Sequence, residues 1–161
     1  MSLYESFDNA FYIKEYYDFD THGFVVIHKT HGINEIEGNK TIAILLAKLG
    51  FRVVLLANIP DAPTPDATVN EDAWEFKTIW KATNLKNRVQ LDIKNGKEQS
   101  ANILIYIAQR YNIDDIIVGI YNAVKYDERE KIQKIVILFE DKRLIRIERA
   151  EVVDHSYRSK F

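Results

Sequence analysis

Asp66, within Pro65-Asp66-Ala67, and the pair Glu75 and Lys77, within Trp74-Glu75-Phe76-Lys77, bring two carboxylates and an ammonium into a short stretch of chain. Those side chains suit hydrolysis of a phosphodiester assisted by a hard divalent cation. Mg²⁺ keeps several waters and is typically bound through one or two carboxylates plus substrate phosphate oxygens, so Asp66 and Glu75 suffice as protein anchors for Mg²⁺ or Mn²⁺. Such a cation lowers the pKa of a bound water and offsets charge building on the phosphoryl oxygens. Lys77 would orient that water or help to deprotonate it, and would stabilise the developing negative charge. The plainer alternative makes Glu75 and Lys77 solvent-facing strand charges and Asp66 a turn residue.

The elements around these residues decide whether they can meet. Ala67, Val69 and the run from Ala73 to Ile79 alternate as strands do, with Asn70-Glu71 as a tight turn between them. A turn there sets Asp66 opposite Glu75. Cross-strand Cβ atoms lie about 5 Å apart and residues two apart share a face, so Asp66, Glu75 and Lys77 converge. Trp74 and Phe76 then face the other side and pack under a helix.

Upstream, Phe24–Ile27 reads as a strand and His28–Gly32 as a loop. Ile42, Leu45, Leu46 and Leu49 recur at helical spacing within a helix over 34–49, closed by Gly50. A strand over 51–57 leads into an irregular, proline-bearing approach over 58–64. Downstream come a helix over 84–95, with Leu85, Val89 and Ile93 on one face and Asn95-Gly96 at its end, and a strand over 101–107. A helix over 113–124 and a hairpin over 132–148, turning at Asp141-Lys142, complete the core, and the polar tail from Asp154 is expected to fray. The first 22 residues offer Phe11, Tyr12, Tyr16 and Tyr17 with no clean period. This order predicts an α/β fold with a mixed central β-sheet flanked by helices: the hairpins supply antiparallel pairs, and the helical crossover from Lys77 to Ala101 supplies a parallel one.

At 161 residues, 47% hydrophobic and 29% charged, the chain is expected to form one domain. Within it we distinguish an N-terminal extension (1–33), a core (34–107), a closing helix and hairpin (108–150) and a tail (151–161). The absence of cysteine excludes disulfides, zinc–thiolate clusters and thiol nucleophiles. No apolar run approaches the roughly 18 residues of a membrane span, and the acidic, aromatic N-terminus is unlike a signal peptide, so no membrane insertion is expected. A net charge of −2 argues against indiscriminate coating of nucleic acid. The average hides a gradient: residues 1–22 are acidic, whereas 77–97 hold Lys77, Lys81, Lys86, Arg88, Lys94 and Lys97 against Asp92 alone. That basic stretch, with Lys86, Arg88 and Lys97 as substrate-binding candidates, would line the approach of a phosphodiester; the bland reading is a solvated helix face.

This order of elements and this motif resemble the PD-(D/E)xK nuclease superfamily over roughly residues 34–107. Within it, Ile42-Ala43, Leu46 through Val53, Pro65-Asp66-Ala67, Trp74-Glu75-Phe76-Lys77 and Lys97 through Ala101 are similar to the C-terminal tRNase domain of contact-dependent growth inhibition toxins of the CdiA type. The resemblance implies a restriction-endonuclease-like core, with Asp66 and Glu75 holding the metal and Lys77 catalytic. It also implies tRNA as substrate, an immunity protein as partner and a cytoplasmic site of action. It places a further carboxylate on the first helix, for which Glu35 and Glu37 compete, and a substrate contact at Gln99. Glu35, seven residues before Ile42 and eleven before Leu46, falls on the inward face of a helix starting at Asn34; Glu37 lies eight residues before Leu45, beside Gly38 and Asn39 at the start of the helix. Each could instead be a first-turn carboxylate favoured by the helix dipole.

Other readings stay open. DNA is the runner-up substrate, since nothing at the site senses a 2′-hydroxyl, and a catalytically inactive nucleic-acid-binding or interaction module is a third. His28-Lys29-Thr30-His31, with His22 and His155 elsewhere, offers ingredients for a metal-independent RNase, against which a polar turn is the simpler account. The chain starts with methionine, and an orphan toxin module, an excised domain and a stand-alone nuclease are equally compatible with it.

Overall fold

The computed structural model describes residues 2–161. The backbone gathers into two compact units, one reaching to Trp74 and one running from Glu75 to Phe161.

In the first unit, a short helix α1 (Leu3–Ser6), closed by a Ser2/Glu5 capping box, precedes β1 (Tyr12–Tyr17) and β2 (Phe24–His28). Helix α2 (Ile36–Lys48) crosses over to β3 (Arg52–Leu55), which pairs parallel with β2 as a helical crossover requires. β4 (Ala67–Val69) returns antiparallel to β3, and β5 (Asp72–Ile79) starts antiparallel to β4. Phe24, Val25, Val26, Ile42, Ala43, Leu46, Val53 and Leu55 form the buried interior. The helix ends as its sequence requires: Gly50 takes φ +95°, and the Gly50 and Phe51 amides donate to the Ala47 and Leu46 carbonyls. Its apolar stripe centres on Ile42 and Leu46, so Leu49, expected inward, is turned out at the C-cap, 40% exposed.

The second unit continues β5 and adds α3 (Leu85–Gly96), β6 (Asn102–Ile107), α4 (Ile113–Lys125), β7 (Lys134–Phe139), β8 (Leu144–Glu148) and α5 (Arg149–Val153). β5, β6 and β7 run parallel and β8 closes antiparallel. Ile79, Val89, Ile93, Ile103, Ile105, Ile116, Ile120 and Ile137 belong to one core cluster, which joins the helices to one sheet face. The strands hydrogen-bond in chain order from β1 to β8, giving a mixed α/β fold with helices flanking an eight-stranded mixed sheet. No helix among the described residues is long and apolar enough to cross a membrane.

Two expectations change. The aperiodic N-terminus holds a strand, β1, which pairs antiparallel with β2 around a register shift between Lys14 and Tyr16; that irregularity breaks the alternation a strand normally displays. The tail does not fray. After α5 it forms a 3₁₀ turn (Ser156–Lys160) whose Tyr157 ring is fully buried and whose hydroxyl donates to the Ile117 carbonyl at 2.7 Å.

Candidate active site

The hairpin that carries the motif is built on its turn. Asn70 and Glu71 both take positive φ, 47° and 78°, the two-residue geometry that matches strand twist. Asn70 also fastens the turn to β3: its side-chain oxygen accepts from the Arg52 amide and its own amide donates to the Arg52 carbonyl, both at 2.9 Å. The register that results pairs Val69 with Asp72, Thr68 with Ala73 and Ala67 with Trp74. Asp66 immediately precedes Ala67, and Glu75 immediately follows Trp74.

Within the first unit, Asp66 is 9% exposed and its carbonyl accepts from the Leu56 amide. The Leu56 carbonyl, in turn, lies 2.6 Å from His31 Nδ1. A carbonyl can only accept, so Nδ1 carries the proton, and in the neutral ring Nε2 is left to accept from the Asn39 amide group, 3.0 Å away. Both ring nitrogens of His31 are thereby occupied, while His28 Nδ1 binds Thr30 locally. The His28–His31 stretch is a polar turn. Glu35 and Glu37 are both exposed. Glu35, expected on the inward face, is the residue capping α2, because the helix starts at Ile36 rather than Asn34; the polar side chain that the helix turns inward is Asn39, 4% exposed.

Within the second unit, Glu75 pairs with Ile103 and Lys77 with Ile105, so both stand on the sheet face that also carries Ile79. Glu75 is only 5% exposed, which removes the reading of a solvent-facing strand charge, and its Oε2 lies 3.3 Å from Lys77 Nζ. Phe76, on the opposite parity, is buried as expected. Helix α3 covers this end of the strand. A Cβ added at Gly96 would stand 3.4 Å from Glu75 Cγ and 3.3 Å from Ile103 Cγ1, a tight fit that glycine relieves as the last helical turn packs on the strands. Gly96 is thus the final residue of α3 rather than a stop signal beyond it.

One turn before Gly96 lies Asp92, 7% exposed, whose two oxygens each accept from Arg88 Nε at 3.0 Å. Burial pushes the Asp92 carboxyl above its ordinary value; the charges of Arg88 and Lys77 draw it only partly back. The spacing itself carried a signal for this residue: Leu85, Val89, Asp92, Ile93 and Gly96 are all buried on α3, and an acid in the apolar phase of a helix is out of place unless it has partners.

The basic candidates separate. Arg88 is engaged with Asp92. The Lys97 ammonium lies 3.3 Å from Asp127 Oδ1, and the same carboxylate accepts from Arg149 Nη1 at 2.7 Å and from the Ile132 amide at 2.8 Å, so Lys97 belongs to a buried ion cluster. Lys86 is half-buried in the first turn of α3, and Gln99 is exposed in the turn between α3 and β6. Among the described residues no group of three or more His, Asp or Glu side chains is arranged to hold a metal ion. The two buried carboxylates, Asp66 and Glu75, are hard oxygen donors of the kind that Mg²⁺ takes while keeping most of its ligands as water.

Residues 63–144 match the family model for the contact-dependent growth inhibition CdiA C-terminal domain. In fold, the chain is similar to a chain of the CdiA-CT/CdiI toxin and immunity complex from Burkholderia pseudomallei, with a TM-score of 0.52 and 15% sequence identity, covering 71% of this chain and 85% of that one. No curated protein matches. The matched stretch is just over half of the 161 residues and contains Asp66, Glu75 and Lys77, and the chain belongs to the contact-dependent growth inhibition CdiA C-terminal domain family.

Proposed function

We propose that this chain is a toxin domain that hydrolyses phosphodiester bonds in RNA, tRNA foremost, as a metal-dependent endonuclease with a PD-(D/E)xK core. The observation that carries the reading is the Glu75–Lys77 pair: a buried carboxylate and an ammonium at 3.3 Å, on one face of a strand. Asp66 and Glu75 flank the residues Ala67 and Trp74, which pair in the hairpin. Asp66 and Glu75 would hold Mg²⁺ or Mn²⁺. When bound, such an ion supplies an acidified water and a counter-charge for the phosphate. Lys77 presents its ammonium to the phosphoryl oxygens and stabilises the charge that develops there. Glu75 keeps Lys77 in place between turnovers.

Family membership supports a toxin role, and the similar fold found in a toxin and immunity complex supports an immunity protein as partner. Its site of action would be the cytoplasm of the cell it enters, where tRNA is met. The preference for tRNA rests on the sequence resemblance.

The test is incubation of the purified chain with total tRNA and with plasmid DNA, each with Mg²⁺, Mn²⁺ or chelator, beside Asp66→Asn and Lys77→Met. Chelator-sensitive cutting of tRNA, lost in both variants, is the expected result. Cutting of DNA alone would move the chain to the DNA endonucleases. Cutting that survives Lys77→Met would remove the role given to that residue.

A further inference from the structure

The His28–His31 turn offers two histidines, and the structure uses them to hold main chain. His28 keeps the turn closed: its carbonyl accepts from the His31 amide at 2.9 Å and its Nδ1 accepts from the Thr30 amide at 3.1 Å. His31 reaches out of the turn to the end of β3. Its Nδ1–H donates to the Leu56 carbonyl at 2.6 Å, and its Nε2 stands 3.0 Å from the side-chain amide nitrogen of Asn39 on α2. Leu56 in turn gives its own amide to the Asp66 carbonyl at 2.9 Å, one rung beyond the Leu55–Ala67 pair. A second bond grips the same exit, from the Asn58 amide to the Thr30 carbonyl at 3.3 Å.

These bonds secure the start of a largely exposed loop, 57–65, in which Pro60, Pro63 and Pro65 have no N–H to give. Asp66 lies at the far end of that loop, just before β4 begins at Ala67. With those donors missing from the loop, Asp66 is fixed by β4 on one side and by Leu56 across from it. His31 and Asn39 are 8% and 4% exposed, withdrawn from water and paired with each other, and a buried polar network of this kind specifies one arrangement of the elements it joins.

We propose that His31 is a positioning residue for Asp66 and that Asn39 sets its tautomer. The Asn39 amide donates to Nε2, which leaves the ring proton on Nδ1, where it meets the Leu56 carbonyl. The other neutral tautomer would set a lone pair against that carbonyl. In this role the ring transfers no proton; it fixes the rung that fixes the Asp66 main chain, from which the carboxylate projects. The hydrogen bonds stand by themselves; their consequence for turnover rests on the nuclease reading above.

The amide nitrogen of asparagine takes the place of Nδ1 in the imidazole and that of glutamine the place of Nε2, so His31→Asn keeps the donor to Leu56 and His31→Gln removes it. The first measurement needs no activity. In the metal-free wild-type chain, nitrogen NMR of the ring at neutral pH should find the His31 proton on Nδ1. In His31→Gln the Leu56 amide should exchange about 5- to 50-fold faster than in wild type, relative to the β2 amides of the same unit. A ring proton on Nε2, or a Leu56 amide as protected in His31→Gln as in wild type, would overturn the proposal. The second measurement is steady-state cleavage of tRNA in Mg²⁺. His31→Gln is expected to lower kcat by about 10- to 100-fold, the usual cost of losing a group that orients a metal ligand, with KM within about threefold. His31→Asn should recover most of that loss, which a ring that only filled space would not allow. Wild-type kcat in a folded His31→Gln chain, or equal losses in the two variants, would overturn the proposal. A proton on Nδ1 and faster Leu56 exchange in a chain whose wild type cuts nothing would sustain the hold on Leu56 and bring down the nuclease reading instead.

Discussion

Asp127 and Asp92 are both buried acids, yet their surroundings drive them in opposite directions. At Asp127 burial raises the carboxyl, but the Ile132 amide, Arg149, the Lys131 amide and Lys97 together outweigh it, and the group ends below its ordinary value. A depressed carboxyl contributes stability that is present above the unfolded value and is lost as pH falls through the folded one. Removing it strands Lys97 and Arg149, so Asp127→Ala should cost about 3–5 kcal/mol, a loss of roughly 10 °C in melting temperature, and should flatten the acid limb of a stability–pH curve. Asp92 has the contrary sign. Its raised carboxyl holds a proton in the folded chain after the unfolded chain has released one, so stability falls as pH rises from the ordinary carboxylate range through the folded value. Asp92→Asn should therefore melt no lower than wild type at pH 7 in thermal unfolding.

The elements make predictions of their own. Glu71 occupies a left-handed turn position, where a residue with a Cβ costs about 1–2 kcal/mol and glycine does not; after the extra entropy of an unfolded glycine, Glu71→Gly should stabilise by about 0.5–1 kcal/mol, read from denaturant midpoints. At the crossing of α3 and α4, a Cβ on Gly119 would come within 2.7 Å of the Lys86 carbonyl and 2.9 Å of Val89 Cβ. Gly119→Ala should destabilise by about 1–3 kcal/mol and, by shifting the helix that carries Arg88 and Asp92, lower any cleavage by more than the folded fraction explains. These elements were largely legible beforehand, because period-two alternation about Asn70-Glu71, helical stripes at Ile42 and Leu85, and the crossover between β5 and β6 are local signals. What was not legible depends on neighbours distant in the chain. The bulge in β1 hides its period, α2 begins two residues later than its pattern suggests and so exchanges Glu35 for Asn39 on the inward face, and Tyr157 is ordered by a carbonyl forty residues away. Lys97 looks in sequence like any other member of a charged run, and only its pairing with the buried Asp127 separates it from the solvated face, whereas Asp92 could be told by its place in the apolar phase of α3.

For the molecule as a whole, the charge asymmetry matters more than the net value of −2. Residues 1–74 hold 11 acidic side chains against 5 basic ones, whereas residues 75–161 hold 13 against 17, leaving −6 and +4. The unit that carries Glu75 and Lys77 is the one suited to a polyanion, and Lys81, Lys86, Arg88 and Lys94 are its near candidates for phosphate contacts. On the nuclease reading proposed above, about three or four such contacts would make affinity for tRNA fall roughly 30- to 100-fold between 50 and 200 mM salt, measurable by filter binding in chelator. In the same unit β8 is last in the strand order and, among the described residues, pairs with β7 alone. The 3₁₀ turn packs beside that strand, and Lys160, ion-paired with Glu151 at 2.6 Å, donates to the Arg146 carbonyl at 2.6 Å, occupying a backbone group of the terminal strand. A bare terminal strand is a template on which another copy can add its own, and a turn that packs on such an edge and occupies one of its carbonyls opposes this. The last few residues thus act as a guard against self-association: a chain cut before Ser156 should lose solubility on concentration and grow strand-on-strand aggregates that bind thioflavin, even where enough of its core survives to fold.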